Sequence, residues 1–284
     1  MTGIFDPAGT APVTGGARRA AAAGQGAFVL HSYDWSESSL IVELFVRDAG
    51  RMAAVAKGAK RPTSHLRSVL LPFQLVLVQF VRARGDNVEV RTLRSAEWGG
   101  GAVVELRGAG WFAGFYLNEL LLRMLARDDP HPRLFDAYAA TLHRLGDGEP
   151  GSEAALRAFE LLLLRETGVL PEFGCTTLTQ RPLSPGGRYA LRADQGLVEA
   201  ATGEPALSGT ACLELAAALD AWAAASAGEA ALQQLHAVCA RELPALKPLL
   251  RSQLHYHLAG SPLRTRQVAI DSQRLLDAAA SPRR

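Results

Sequence analysis

An α+β chain is predicted, with a small five-stranded antiparallel barrel at the front and helices behind it. Three observations carry this. The apolar positions of Phe28–Ser32, Leu40–Val46 and Met52–Ala56 give the periodicity of strands. Asp48-Ala49-Gly50 lies between the second and third of these runs and is a tight hairpin signal. Beyond residue 105 the apolar spacing changes to three and four residues, the period of helices. With 284 residues and 48% hydrophobic content, the chain can fill two compact cores.

Residues 1–25 are mostly Ala, Gly, Pro and Thr with Arg18 and Arg19. Too little apolar surface is present there to offset chain entropy, so a disordered tail is expected. The barrel domain follows over 26–98. Its strands are expected at about 27–32, 39–47, 51–57, 73–83 and 87–94, with Arg84-Gly85-Asp86-Asn87 turning the last pair. Gly58–Ser68, GAKRPTSHLRS, reads as a long connection that Pro62 keeps irregular. Gly99-Gly100-Gly101 reads as a hinge.

A helical domain is expected over 105–279, from helical spacing in Trp111–Arg127, Arg133–Leu145, Glu153–Thr167, Thr210–Ala225, Glu229–Glu242, Leu246–Leu258 and Thr265–Ala279. Ser152 is placed to N-cap the third of these and Gly168 to end it. The Gly/Pro/Thr-rich stretch from about 170 to 205 reads as an inserted irregular loop module with short β-like pieces at Arg188–Arg192 and Gly196–Ala200.

Charge is unevenly spread. Ten basic and three acidic residues fall between Arg47 and Arg94, a local +7 that leaves −5 for the rest of a chain of net +2. A basic segment joined to an acidic remainder fits a polyanion-binding domain attached to something else. The three cysteines, Cys175, Cys212 and Cys239, are widely separated and form no Cys-x-x-Cys pair, so neither a disulfide framework nor a zinc knuckle is expected. Val69–Val81 is the longest apolar run and is interrupted by Pro72 and Gln74. It is too short to span a bilayer, and a soluble cytoplasmic protein is expected.

Enzymatic signatures are missing: no Gly-x-Ser-x-Gly, Walker A, dinucleotide fingerprint or His-Glu-x-x-His occurs. His255 and His257, two apart on a helix, point to different faces and are poorly placed to share a metal. No catalytic residue, cofactor or metal is expected.

The run HSYDWSESS before an apolar strand, followed by VAKGAK after the third, resembles the N-terminal OB-fold domain of the RecO family of recombination mediators. YLNELLLRML (116–125), ALRAFELLLL (155–164), the Gly-x-Leu-Pro-x-Phe ending in Phe173, Gly196-Leu197 and SPLRTRQV (261–268) extend the resemblance to about residues 27–268. It implies a DNA repair protein that binds single- and double-stranded DNA and anneals complementary strands. It also implies cooperation with RecR in loading RecA onto strands coated with single-strand-binding protein. Some relatives of this kind hold zinc in the loop module, whereas Leu178 stands here where a second cysteine would be expected.

An OB barrel holds a strand across its second and third strands and neighbouring loops, with cations on phosphates and aromatics on bases. The residues so placed are Trp35, Arg47, Arg51, Lys57, Lys60, Arg61, Arg67 and Arg84. Two of only three lysines in the chain fall in this segment. Trp35 suits either stacking or closing the barrel end. On the helix from Glu153, Leu156, Arg157 and Phe159 set an apolar surface beside a cation, and the resemblance implies the acidic C-terminal tail of single-strand-binding protein as its partner. The alternative is an OB module for RNA or another polyanion, since fold does not fix ligand.

Overall fold

The computed structural model describes residues 24–81, 90–101, 103–148, 151–224 and 228–280. The first 23 residues, including most of the expected tail, and the Arg84 turn lie outside them. Five strands, β1 (Gln25–Asp34), β2 (Leu40–Val46), β3 (Gly50–Ala56), β4 (Leu75–Phe80) and β5 (Val90–Trp98), close into a barrel in the order β1-β2-β3-β5-β4. β3 and β5 run parallel, and β4 returns to β1 antiparallel. This is the OB-fold topology.

The interior is lined by Val29, Val42, Leu44, Met52, Ala54, Val76, Val78, Leu93 and Ala96, all buried. The connection expected to be irregular contains a one-turn helix, α1 (His65–Val69), which inserts Val69 and Leu70 into this core. Pro62 stops three residues short of α1, so it does not interrupt it.

β2 is buried without a break from Val42 to Val46. Its inward residues fill the barrel, while outward-facing Phe45 joins Phe28 and Leu30 of β1 in the core of the helical part. Two-sided burial explains why LIVELFV is nearly continuous in apolar character. The helices are α2 (Ala109–Met124), α3 (Pro132–Gly146), α4 (Ser152–Glu166), α5 (Gly209–Ala224), α6 (Glu229–Arg241), α7 (Leu243–His257) and α8 (Arg264–Ala280). α4 is the central one: Ala154, Ala155 and every residue from Ala158 to Leu164 are buried, and it packs on α2, α3, α6 and α7. Gly151, not Ser152, occupies its N-cap position, since Ser152 is already helical and its hydroxyl donates back to the Gly148 carbonyl at 3.3 Å. Gly168 takes φ +72° just past the helix end, as a terminating glycine should. The stretch read as irregular holds a three-stranded sheet in the order β7-β6-β8: β6 (Arg188–Arg192), β7 (Gly196–Glu199) and β8 (Leu207–Ser208). β8 is only two residues long and carries no alternation to read.

Candidate nucleic-acid interface

At one end of the barrel the β1–β2 loop and the segment after β3 are stitched together. The Lys60 amide donates to the Ser38 carbonyl at 2.9 Å, the Gly58 amide to Ser39 Oγ at 3.4 Å, and Lys60 Nζ reaches Ser36 O at 3.3 Å and Asp34 Oδ2 at 3.1 Å. On this rim Trp35 is 64% exposed, so it stands out in solvent and does not close the barrel end. Lys57, Arg61 and Arg67 are exposed, and none of them has an ion pair or hydrogen-bond partner for its charged group among the described residues. The parallel register of Val55 with Thr92 brings Arg94 of β5 to the same end. It too is exposed and unpaired among the described residues, and no strand-level signal in the sequence singled it out. Lys60 is part of the stitching, its charge compensated by Asp34.

Arg47 and Arg51 go elsewhere. Arg47 grips Asp136 of α3 with two nitrogens, Nε to Oδ1 at 3.0 Å and Nη2 to Oδ2 at 2.8 Å; this pairing, with burial opposing it, raises its pKa. Arg51 is nearly buried: Nη1 lies 3.1 Å from Glu43 Oε2, and Nε donates to the Leu125 carbonyl at 3.0 Å. Glu43, 5% exposed, also holds Arg127 at 2.6 Å. The same seam includes Arg91 to Asp128 at 3.0 Å and Gly50, at φ +77°, where a Cβ would sit 2.0 Å from the Asp129 carbonyl oxygen. These two arginines therefore fasten the barrel to the helices, Arg51 nearly buried and Arg47 with 43% of its side chain still exposed. Arg84 lies outside the described residues.

A second surface lies in the helical part. A groove of about 880 Å³ runs between α2, α4, α7 and α8, with Phe112, Tyr116, Leu156, Leu254, Leu258 and Leu263 on its apolar walls and Arg157, Lys247 and Arg251 among its polar ones. Leu156 and Arg157 are on the groove as expected. Phe159 is not: it is fully buried and meets Tyr138 edge-on at 6.1 Å, because on α4 the residue two beyond Arg157 turns into the core. Arg157 leans on Glu160, whose Oε1 is 2.6 Å from its Nη2 and also accepts from Tyr116 OH at 2.5 Å. Burial raises the Glu160 pKa, opposed by Arg157, Tyr116 and Arg251.

Cys212 and Cys239 are buried thiols pushed up to about 12, chiefly by desolvation, and Leu178 is exposed beside Cys175. Among the described residues no group of three or more His, Cys, Asp or Glu is arranged to hold a metal, and no helix is long and apolar enough to cross a membrane.

Two family profiles match the chain: Recombination protein O N terminal over residues 23–99 and Recombination protein O C terminal over 108–267. The chain belongs to the RecO family. The first profile spans the barrel and the second runs from α2 into α8. DNA repair protein RecO of Variovorax paradoxus is 49% identical over 254 residues, covering 88% of this chain and 96% of that protein. The RecO proteins of Verminephrobacter eiseniae and Delftia acidovorans are 48% and 49% identical with the same coverage. Family membership places the chain in DNA repair and recombination.

Proposed function

We propose that the chain binds single- and double-stranded DNA along the barrel rim, anneals complementary strands, and acts with RecR to place RecA on strands coated with single-strand-binding protein. In this reading the barrel, residues 26–98, is the DNA-binding domain. The helical domain, 105–279, receives the acidic tail of single-strand-binding protein in the groove beside Leu156 and Arg157. The work is done by binding alone and needs no catalytic group or cofactor. It belongs in the cytoplasm, at the nucleoid.

The observation that supports the reading most is that Lys57, Arg61, Arg67 and Arg94 are exposed and uncompensated among the described residues while Trp35, in the loop stitched to the segment after β3, is exposed as well. Cations without internal partners are free to replace counterions on phosphates, which supplies affinity without base readout. An exposed indole gives a base a stacking platform. Held by its backbone, a strand keeps its bases available, so pairing energy drives annealing. The test is annealing of complementary oligonucleotides precoated with single-strand-binding protein. Catalytic amounts of the protein should speed duplex formation, and Lys57→Ala with Arg61→Ala should slow it. A rate equal to that of the coated strands alone would refute the reading.

A further inference from the structure

A cavity of about 500 Å³ lies between α3, α5 and the start of α6, with Arg144, Trp222 and His236 on its walls. It shares no lining residue with the groove beside Arg157. Two buried polar atoms on these walls lack a partner. Trp222 is 6% exposed and His236 9%, and neither the indole Nε1 nor the imidazole Nε2 makes a hydrogen bond among the described residues. An indole N–H can only donate, and a buried donor without an acceptor is unfavourable. Burial, and then the Arg144 charge, keep the His236 ring neutral near pH 7, so it too has an N–H to give.

The surroundings favour an anion as the missing acceptor. Arg144 is exposed and has no hydrogen bond or ion pair among the described residues. Arg133, half-buried on α3, donates to the Trp222 carbonyl at 3.0 Å and has no acid among them either. Of the two acids on the walls, Asp136 is held by Arg47 at 3.0 and 2.8 Å. Glu229 is exposed, where water screens it, and accepts from Gln233 Nε2 at 3.4 Å. Helix α6 opens on Gly228, which has no side chain to cap the first amides. A Cβ there would come within 2.3 Å of the Trp222 ring, so this helix end lies directly on the indole.

We propose that this cavity binds a phosphate group, with Arg144 supplying the charge and Trp222 Nε1 and His236 Nε2 donating to its oxygens. The donors come from three helices, a spread that suits the four oxygens of a tetrahedral anion better than the two coplanar oxygens of a carboxylate. The volume is that of a small-molecule site, so the group is either free phosphate or the phosphoryl end of a small organic molecule. Bound there, it ties α3 to α5 and α6 beside the Asp136 that holds the barrel. This site is independent of the DNA-binding rim.

The test titrates the full chain with inorganic phosphate and with phenyl phosphate, against chloride at equal ionic strength, and follows the indole N–H resonance of Trp222. That resonance is assigned by Trp222→Phe or, should the variant not fold, by elimination with phenylalanine at the exposed Trp35, Trp98 and Trp111. Both anions should shift it saturably. Arg144→Met should weaken that binding about tenfold, the scale of one charge-assisted pair, and Arg144→Lys should keep part of it. Lys57→Ala on the barrel rim should leave it unchanged. Tighter binding of phenyl phosphate would mark an organic phosphate as the occupant, and equal binding would mark free phosphate. Because Arg144 is exposed, its variants should melt like wild type in chloride, which separates a lost contact from a lost fold. No saturable shift in wild type would mean that water alone fills the cavity and would overturn the proposal. So would an unchanged affinity in folded Arg144→Met.

Discussion

The barrel rim and the barrel–helix seam are built from the same side chain and use it in opposite ways. On the rim, Arg61, Arg67 and Arg94 stand with Lys57 in solvent and have no internal acid among the described residues. In the seam, Arg47, Arg51 and Arg127 are matched to Asp136 and Glu43 within 2.6–3.1 Å. The nearly buried pair of Arg51 with Glu43 has to be matched because the desolvation cost of a lone charge is large. Arg47 reaches Asp136, and Arg127 reaches Glu43, from half-exposed positions, and a fully solvated rim charge gains little from a partner. The lesson is that counting cations in a basic segment overstates its ligand surface. Those that hold two layers of the fold together must be subtracted first.

The most damaging single change should be in the seam at Gly50. A Cβ there meets the Asp129 backbone, and the φ of +77° disfavours any side chain. Gly50→Ala should cost about 2–5 kcal/mol of stability from strain and overpacking together, read as the denaturant midpoint; a loss under about 1 kcal/mol would mean that the seam is looser than the packing implies. Glu43→Ala comes next. It leaves Arg51 nearly buried without its acid while Arg127, half exposed, can turn to water, so about 2–4 kcal/mol is expected. Glu43→Ala with unaltered urea melting would show the triad to be ornamental.

A smaller effect should appear with pH behind α3, where His236 of α6 lines a cavity with Asp136 and Arg144. Burial, and then the Arg144 charge, push this imidazole down to about 4. An unfolded histidine binds its proton near 6.5, so between 6.5 and 4 the unfolded chain holds more protons than the folded one. Stability that is present above 6.5 is then lost as pH falls through this window. After discounting for partial solvent access, wild type should lose on the order of 1–2 kcal/mol more than His236→Gln over that range. Parallel pH profiles of the two proteins would contradict the assignment.

Legibility in the sequence followed the same division. Regular patterns are readable: the five strands and the seven long helices follow from periodicity and turn residues, whereas Arg94 on the rim carries no signal of its own. The seam pairing of Arg47 and Arg51 is not legible, because period alone puts them on ligand-bearing strands, while their partners Asp136 and Glu43 are 89 and 8 residues away. A signal was present in Glu43, a lone carboxylate inside LIVELFV, since an acid in a run buried on both faces has to find a cation. Phe159 was misassigned because α4 is apolar almost all round, which marks a central helix with a narrow exposed edge. Helix α1 and strand β8 were too short to leave a period at all.

The central claim is that rim cations, and not seam cations, meet the DNA backbone. It is tested most directly by the salt dependence of single-strand binding in two paired variants, Lys57→Ala with Arg61→Ala on the rim and Arg47→Ala in the seam. The rim variant should keep its stability within about 0.5 kcal/mol, and its slope of log affinity against log salt should shrink by roughly 0.7 per cation removed. The seam variant should melt earlier and keep the wild-type slope. A folded rim variant with an unchanged slope, beside a seam variant whose slope shrinks, would contradict the account.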